Sequence, residues 1–357
     1  GNLGYDFVRY SEVLPDNNPD EIEIETIQMM LMTSFLMVDH VAETLTAVVL
    51  EEPSEEGREQ AMEKAGQMIK KAMEKKECKR NFYHDGKIIK KSDSIEEYGE
   101  KVEKIKHYIR EGHVFQTVLS QRWKIETRQT GFELYKELRE LNPSPYLYYF
   151  NYGTFEVIGS SPEMIVKKQG NKVFTCPIAG TRKRGKDEAE DKRLRDELLS
   201  DEKERAEHVM LVDLARNDMG RISEFGTVKV TQFMEVQNYS HVMHIVSQVE
   251  GRKKGESHPL DLVASFLPAG TLSGAPKIRA MEIIDELEHG KRNLYTGSIG
   301  YLTLDGSCDF NIVIRTALHK NGKYHLGVGG GITAESDLEF EYEETLQKAK
   351  AILDALQ

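Results

Sequence analysis

Hydrophobic and polar residues recur along the chain with two different periods, which predict a mixture of strands and helices. Residues 29–38 and 43–50 are apolar and β-prone, and they predict two neighbouring strands. Residues 51–80 are charge-rich with apolar side chains at helical spacing, which predicts a solvated amphipathic helix. Ser94 and Glu97 form a candidate capping box at the start of a second helix.

The rest of the chain continues this mixture without a regular order. The pattern predicts strands at 114–125, 146–152, 156–158, 173–176, within 227–249 as a pair, and at 299–304, 310–316 and 323–328. It predicts helices at 132–141, 187–215 (one helix or a pair), 277–287 and from about Asp337 onward. Because the two kinds of element do not alternate regularly, we expect α+β layers and no regular βαβ winding.

Composition narrows the class of protein. A chain of 357 residues suggests about two domains. The net charge of −12 argues against a nucleic-acid partner, since such proteins carry a basic face. Cys78, Cys176 and Cys308 are scattered and odd in number, so a reducing, cytoplasmic setting is expected. The most apolar stretch is shorter than the roughly 18 residues of a membrane span, so no membrane association is expected.

Two pairs of glutamates are candidate metal ligands. Glu204 and Glu207 are three residues apart, as are Glu341 and Glu344, and on helices this spacing puts each pair on one face. Four converging carboxylates would be costly without a cation, and all-oxygen ligation suits Mg²⁺. The alternatives are a helix cap formed by Asp201 and acidic helix faces that simply meet water.

Three segments of small residues could lie against a ligand. The run Gly329, Gly330 and Gly331 follows an apolar strand and could cradle an anion, or could form a turn with positive φ. Pro177 to Thr181 allows the same two interpretations, with three cations directly behind it. Thr271, in the segment 267–277, offers a hydroxyl to a ligand, unless the segment is only a tight connection.

Two isolated polar residues stand out against apolar surroundings. Arg315 follows the apolar segment 311–314, and a buried cation needs a carboxylate partner, either a substrate or an internal acidic residue. His244 lies inside the apolar stretch 242–246. Its pKa range suits catalysis, although a satisfied core histidine is the more common case.

Taken together, these segments resemble the chorismate-utilising enzymes, most closely the anthranilate synthase component I branch. The resemblance covers most of the chain from about residue 93 onward and implies a large two-sheet α/β sandwich with outer helices. It assigns 93–357 to a chorismate-binding catalytic domain and 1–92 to the remnant of an N-terminal region with a linker helix. The matching stretches, in the order of the family, are 115–122, 142–146, 158–163, 177–181, 201–218, 240–244, 267–282, 309–316 and 329–344.

The resemblance also implies how a metal and the substrate would be bound. Glu207 and Glu344 would bind Mg²⁺ directly, with Glu204 and Glu341 supporting, and the metal would hold the ring carboxylate of chorismate. The same end of the substrate would be bound by Gly180, Thr181 and the amides of Gly329, Gly330 and Gly331. The enolpyruvyl carboxylate would be held by Tyr295 and Arg315.

Three further residues would act on the bound substrate. Glu163 would be the general acid that protonates the departing 4-hydroxyl group. His244 would assist the loss of pyruvate, and Thr271 would help to position the intermediate.

Two positions separate the branches of the family. Isochorismate and salicylate synthases carry a lysine where Gln116 stands, and a glutamine cannot act as a general base toward water. Aminodeoxychorismate synthases commonly carry a lysine where Ala179 stands, and alanine has no nucleophile. Both residues favour anthranilate synthase, in which ammonia from a glutamine amidotransferase subunit or from solution reacts with chorismate in tryptophan biosynthesis. Aminodeoxychorismate synthase component I remains the alternative.

Regulation by tryptophan is the last implied property. Pro145, Tyr146 and Leu147 resemble half of the feedback-inhibitor site of the family, whose other half lies upstream of Gly1. Because the sequence starts at Gly1 without a methionine, we expect an absent N-terminal segment and weak inhibition by tryptophan. A catalytically silent regulatory or assembly subunit is a second hypothesis, against which the intact acidic pairs argue.

Overall fold

The computed structural model describes residues 1–74, 83–239, 242–255 and 258–357. Cys78, and Ser240 and His241 of the family-like segment 240–244, lie outside the described residues. The chain divides into two compact units, one formed by Gly1–Gln28 with Phe82–Gln357 and the other by Met29–Asn81. The predicted division at residues 92 and 93 stays a prediction.

The smaller unit consists of a hairpin followed by a helix, as the sequence predicts. Strands Ser34–Asp39 and Thr44–Val49 pair antiparallel, and the helix Glu55–Met73 follows. The Ser54 hydroxyl caps this helix by accepting a hydrogen bond from the Gly57 amide at 3.0 Å. The first strand begins at Ser34 and not at Met29, because its partner ends at Val49 and gives way to the start of the helix.

Two antiparallel sheets form the frame of the larger unit. Among the described residues, nine strands form the first sheet and seven form the second. Across the first sheet the order is Ile178–Lys183, Val242–Arg252, Lys172–Thr175, Met164–Gln169, Cys308–Ile312, Ser298–Leu302, Asn2–Leu3 and Ile27–Gln28, with Lys229–Asn238 also paired to Val242–Arg252. Across the second it is Gly274–Ala275, Gln116–Glu126, Lys323–Ile332, Thr316–Lys320, Glu156–Ser161 and Tyr146–Asn151, with Lys87–Lys91 also paired to Gln116–Glu126.

Helices begin where the sequence offers capping side chains. The capping box of Ser94 and Glu97 is present, with hydrogen bonds of 2.8 and 3.2 Å, and Asp337 caps the last helix. The α-helices described in the larger unit are Ile95–Arg110, Gly131–Leu141, Glu188–Ser200, Glu202–Ile222, Pro259–Phe266, Gly270–Ser273, Lys277–Leu287 and Leu338–Leu356, and Tyr5–Tyr10 is a 3₁₀-helix.

Packing of the sheets confirms the expected sandwich with helices outside. Between the sheets, Ile299 and Val313 pack with Val157 and Leu318 in one buried cluster. On the outer face of the second sheet, the helices Gly131–Leu141 and Leu338–Leu356 bury apolar side chains against Trp123 and its neighbours. On the first sheet, the helices Glu202–Ile222 and Pro259–Phe266 pack in the same way. The core therefore has three layers of contact, and the space between the sheets is open at the ends of strands.

One predicted strand differs in the structure. The strand predicted at 310–316 is interrupted between Ile312 and Thr316, where Arg315 adopts a left-handed backbone with φ of 48°. The segment 267–276 contains a short helix, Gly270–Ser273, and a short strand, Gly274–Ala275. The charged region 187–215 is a pair of helices, broken at Asp201, whose side chain accepts hydrogen bonds from the Lys203 and Glu204 amides.

No helix within the described ranges has the length and apolar character needed to cross a membrane.

Leu138 and Leu141 allow the outer layer to be tested within a single helix. Leu138 is fully buried, whereas the side chain of Leu141 is 45% exposed. We predict that Leu138→Ala lowers the free energy of unfolding by about 2–5 kcal/mol, because it leaves a cavity between the helix and the second sheet. Leu141→Ala, the matched control, should cost less than about 1 kcal/mol. Equal losses in urea denaturation would contradict the packing described here.

Candidate active site

A cavity of about 430 Å³ lies where the two sheets meet the acidic helices. Its walls come from strand Ile178–Lys183 of the first sheet, strand Lys323–Ile332 of the second, and the helices Glu202–Ile222 and Leu338–Leu356. Most of the residues singled out in the sequence line it: Gln116, Glu163, Ala179, Gly180, Thr181, Glu204, Glu207, His244, Thr271, Tyr295, Arg315, Gly329, Gly331, Glu341 and Glu344.

The two glutamate pairs face each other across one end of this cavity. Burial raises the pKa of Glu207, and the charges of Glu204 and Glu344 raise it further. Burial also raises the pKa of Glu341, and the charge of Glu344 adds to the effect. The carboxylates therefore lie close enough to repel one another. The spacing along the sequence suggests that the two pairs converge but cannot establish it.

Three of these four carboxylates have partners within the protein. Arg182 contacts Glu204 at 3.1 Å, the Ser336 hydroxyl donates to Glu341 at 2.7 Å, and Lys348 lies 3.3 Å from Glu344. Among the described residues, the carboxylate of Glu207 has no hydrogen bond or ion pair. A buried carboxylate without a partner is costly, so Glu207 favours a cation from outside the chain.

The donor set fits Mg²⁺ with water or substrate completing its coordination. Within the described ranges, no group of three or more histidine, cysteine, aspartate or glutamate side chains forms a ready-made metal site. Mg²⁺ does not need one, because it keeps several waters and is commonly held by one or two carboxylates together with substrate oxygens. Two facing pairs of carboxylates that repel one another offer such oxygens.

Glu163 lines the same cavity and is 8% exposed. Burial raises its pKa to about 7, against smaller lowering effects of the Thr271 hydrogen bond and the Arg315 charge. The Thr271 hydroxyl donates to Glu163 Oε1 at 3.1 Å. At neutral pH the carboxyl group is thus poised to give up or accept a proton, which is what a general acid requires.

Arg315 brings an uncompensated cation into the same cavity. Its left-handed backbone ends one strand and precedes the next, and its carbonyl accepts a hydrogen bond from the Ser160 amide at 3.1 Å. The guanidinium makes no hydrogen bond or ion pair with any residue that the structure describes. The Glu163 carboxyl lies close enough for its charge to act on Arg315, but it makes no ion-pair contact, which leaves the guanidinium able to bind an anionic ligand.

His244 is held in one tautomer by the bulge opposite it. Gly180, with φ of 65°, is the extra residue between Ala179 and Thr181 in the pairing with strand Val242–Arg252. His244 Nδ1 lies 2.9 Å from the Gly180 carbonyl, which can only accept, so Nδ1 carries the hydrogen and Nε2 has the free lone pair. Burial lowers the pKa of His244, so the ring is neutral at pH 7.

The glycine run lies inside a strand and does not form the turn that the sequence left open. Gly329, Gly330 and Gly331 pair with Ser120, Leu119 and Val118, and none of the three has a positive φ. Strand Thr316–Lys320 pairs with Lys323–Ile332 only as far as Leu326. Beyond that point one edge of the glycine-rich strand borders the cavity, so its polar groups can face a ligand.

A close backbone approach explains the glycine at 329, where a Cβ would lie 2.5 Å from the Leu119 carbonyl oxygen. At 331 a Cβ would meet the amide nitrogen of Gln116, and at 330 it would lie 3.0 Å from Glu344 Oε2, so these two side chains approach the strand closely. Gln116 is buried, and its Oε1 has no hydrogen-bond partner. An acceptor without a partner therefore lies beside the strand edge.

Tyr295 lines the cavity, whereas the segment that resembles part of a tryptophan-binding site does not. The ring of Tyr295 lies against Gly327, where a Cβ would overlap it, and burial raises the pKa of its hydroxyl. Pro145, Tyr146 and Leu147 do not line the carboxylate cavity. The Tyr146 hydroxyl instead donates to Asp309 at 2.9 Å.

Lys348 is a cavity residue that the sequence analysis missed. Its ammonium donates to the Gly329 carbonyl at 3.0 Å and lies beside Glu344. The spacing of four residues after Glu344 on the last helix is the signal that could have found it.

Comparison with known proteins agrees with this geometry. Residues 1–354 match the family of chorismate binding enzymes, and the chain belongs to that family. Its relatives there include anthranilate synthase component 1 of Acetivibrio thermocellus, which is 46% identical, and that of Aquifex aeolicus, which is 44% identical. Each match spans 100% of this chain and 74% of the relative. The crystal structure of anthranilate synthase component I from Streptococcus pneumoniae superposes with a TM-score of 0.90 at 39% identity, covering 99% of this chain and 79% of that one.

The raised pKa of Glu163 predicts a measurable dependence of stability on pH. The folded state holds this proton more tightly than the unfolded chain, whose pKa is near 4.5, so stability is highest below that pH and falls as the pH rises toward 7. At about 1.4 kcal/mol for each pKa unit, the loss approaches about 3 kcal/mol. Glu163→Gln removes this loss, so it should be more stable than the wild type at pH 8 and closer to it at pH 5.

Urea denaturation at both pH values measures this difference. Glu235→Gln, on an exposed strand, is the matched control and should differ from the wild type by the same amount at pH 5 and pH 8. If Glu163→Gln also gave a constant difference, Glu163 would titrate normally.

Proposed function

We propose that the chain is the chorismate-converting component of an anthranilate synthase, producing anthranilate and pyruvate from chorismate and ammonia. One observation carries this proposal: Arg315 and Glu163 line the same cavity. The guanidinium of Arg315 has no ion-pair partner, and the carboxylic acid of Glu163 has a pKa of about 7. The guanidinium suits a substrate carboxylate, and the carboxylic acid suits a departing hydroxyl group. The anthranilate synthase relatives support the choice of reaction.

Binding follows from the two ends of the cavity. Arg315, with the hydroxyl of Tyr295, holds the enolpyruvyl carboxylate of chorismate by charge and hydrogen bonding. The strand edge at Gly329 to Gly331, with Gly180 and Thr181, accommodates the ring-carboxylate end. When bound by Glu207 and Glu344, with Glu204 and Glu341 supporting, Mg²⁺ supplies the positive charge that the ring carboxylate needs there.

Loss of the 4-hydroxyl group requires a proton from the protein. As ammonia forms a bond to C2 and the ring double bonds shift, the C4–O bond breaks and Glu163 gives its proton to that oxygen, which leaves as water. The resulting carboxylate accepts the hydrogen bond of Thr271, and the new C2 ammonium group loses its extra proton to solvent. A general acid at this position typically contributes about 10²–10⁴-fold to the rate. Thr271 fixes the carboxyl group of Glu163 and helps to position the intermediate.

We take ammonia as the nucleophile because the two positions at which other branches of the family carry a lysine hold Gln116 and Ala179 here. Gln116 carries a neutral amide whose unpartnered Oε1 accepts a hydrogen bond from ammonia beside C2 of the ring. Ala179 offers no nucleophilic atom. Ammonia comes from a glutamine amidotransferase partner, or from ammonium in solution, and the reaction belongs to tryptophan biosynthesis in the cytoplasm.

His244 assists the final elimination. Its Nε2, left unprotonated by the Gly180 hydrogen bond to Nδ1, takes the proton from C2 as the C–O bond to the enolpyruvyl group breaks. The ring becomes aromatic, and the departing enolate takes up a proton at its methylene carbon and is released as pyruvate.

Direct assay tests the reaction. We predict that the protein converts chorismate to anthranilate with ammonium chloride as nitrogen donor, and that activity disappears on removal of Mg²⁺ with EDTA and returns when it is restored. Anthranilate fluorescence measures the product, and chromatography identifies any other.

Each alternative product contradicts a different part of the proposal. Aminodeoxychorismate as the sole product would assign the chain to the other amination branch, and isochorismate would make water the nucleophile. An absence of any product in the presence of ammonium and Mg²⁺ would favour a silent regulatory or assembly subunit.

Removing a single carboxylate tests the metal site. We predict that Glu207→Ala or Glu344→Ala abolishes turnover, while metal-free stability changes by less than about 1 kcal/mol, because relief of repulsion offsets the lost contacts. Glu202→Ala, on an exposed position of the same helix as Glu207, should retain activity. Full turnover in Glu207→Ala would show that the pairs are only acidic surface.

A further inference from the structure

A second cavity, of about 300 Å³, is lined by strands of the second sheet and by the segment 288–295, outside the carboxylate cluster. The two cavities have Tyr295 and Gly327 in common, and the Tyr295 ring packed on Gly327 forms the wall between them. None of Pro145, Tyr146 and Leu147 lines the second cavity. It is therefore separate both from the catalytic groups and from the segment that resembles an inhibitor site.

The charge of this cavity is opposite to that of the protein. The chain carries a net charge of −12, yet lysines and arginines outnumber acidic residues around the cavity. The cationic lining residues are Lys90, Arg122, Lys124, Lys291 and Arg292. The acidic ones are Glu21 and Glu288. A concave surface with this excess of positive charge concentrates anions.

Internal ion pairs leave part of this charge uncompensated. Glu288 forms a buried ion pair with Arg292. Glu21 forms ion pairs with Arg122, at 2.9 Å, and with Lys90, at 3.3 Å. Lys124 has no hydrogen bond or ion pair with any residue that the structure describes. Its ammonium is thus the group that an anion entering the cavity would meet.

One further polar group beside Lys124 is placed for a ligand. His325 pairs directly with Lys124 across the two strands and lines the same cavity. The side chain of Gln121 points to the other face of the sheet, where its Oε1 accepts a hydrogen bond from Trp123 at 3.3 Å. Burial and the charges of Lys124 and Arg122 lower the pKa of His325 to about 4, so its neutral ring can exchange hydrogen bonds without adding charge.

The remaining walls are apolar and limit the size of a ligand. Ile22, Leu294, Val313 and Leu318 line the cavity between the polar groups. A volume near 300 Å³ is at the lower end of ligand cavities, which suits a single ring better than a nucleotide. We propose that this second cavity binds a small organic anion, a carboxylate carried on a ring-sized apolar body, with Lys124 as charge partner and the neutral ring of His325 beside it.

Benzoate is a suitable probe, provided that the catalytic cavity is prevented from binding it. The Arg315→Gln substitution removes the guanidinium from that cavity, and EDTA removes any metal. Benzoate binding to this protein is then measured by calorimetric titration. The proposal expects saturable binding of one benzoate per chain. Acetate, which lacks the ring, should bind at least about tenfold more weakly because it buries no apolar surface.

Lys124→Gln and Lys229→Gln form a matched pair in this background. Both remove a strand lysine that has no hydrogen bond or ion pair with a described residue, but Lys229 is exposed and lies outside the cavity. Lys124→Gln should weaken benzoate binding by on the order of tenfold, and Lys229→Gln should leave it unchanged. Circular dichroism confirms that each variant is folded, and wild-type protein titrated in parallel shows whether the Arg315→Gln change alters the second cavity.

Three results would overturn the proposal: no saturable binding, equal affinity in the two lysine variants, or equal affinity for acetate and benzoate. None of these measurements involves turnover. A protein that fails here can still make anthranilate, and one that makes no anthranilate can still bind benzoate, so the two proposals are tested separately.

Discussion

The catalytic cavity depends on one constraint: it contains buried charged groups that the protein itself does not neutralise. Isolated charges are expensive away from water, and the fold offsets only some of them. Arg182 and Ser336 contact one carboxylate of each helix pair, whereas Glu207 and Arg315 have no partner within the described chain. These two unpaired groups determine what the cavity can bind, because Glu207 can contact a cation and Arg315 can contact an anion.

Local signals explain which parts of the fold could be predicted from the sequence. The helix that starts at Ser94 and the last helix at Asp337 carry capping side chains next to a clear apolar period, and both begin where predicted. The hairpin and helix of the smaller unit depend on neighbours close in sequence as well. The sandwich itself came from the resemblance to a family, since periodicity alone indicates strands but not which of them pair.

Long-range contacts explain what the sequence could not supply. The glycine run has the composition of a turn, but it is a strand because Val118 to Ser120 pair with it and Gln116 fills the space that a side chain would need. The acidity of Glu163 is equally non-local, since it depends on burial and on Thr271, far along the chain. The spacing of the glutamates was visible, whereas their convergence required the two helices to be placed.

The left-handed residue Arg315 has a consequence for where a substrate can lie. Strand Thr316–Lys320 starts directly after it, and the neighbouring strand continues past that point without a partner on one side. The cavity thus borders a strand edge that has no neighbouring strand beyond Leu326. A substrate lying there can meet main-chain polar groups directly, without a side chain between them, because that edge is made of glycine.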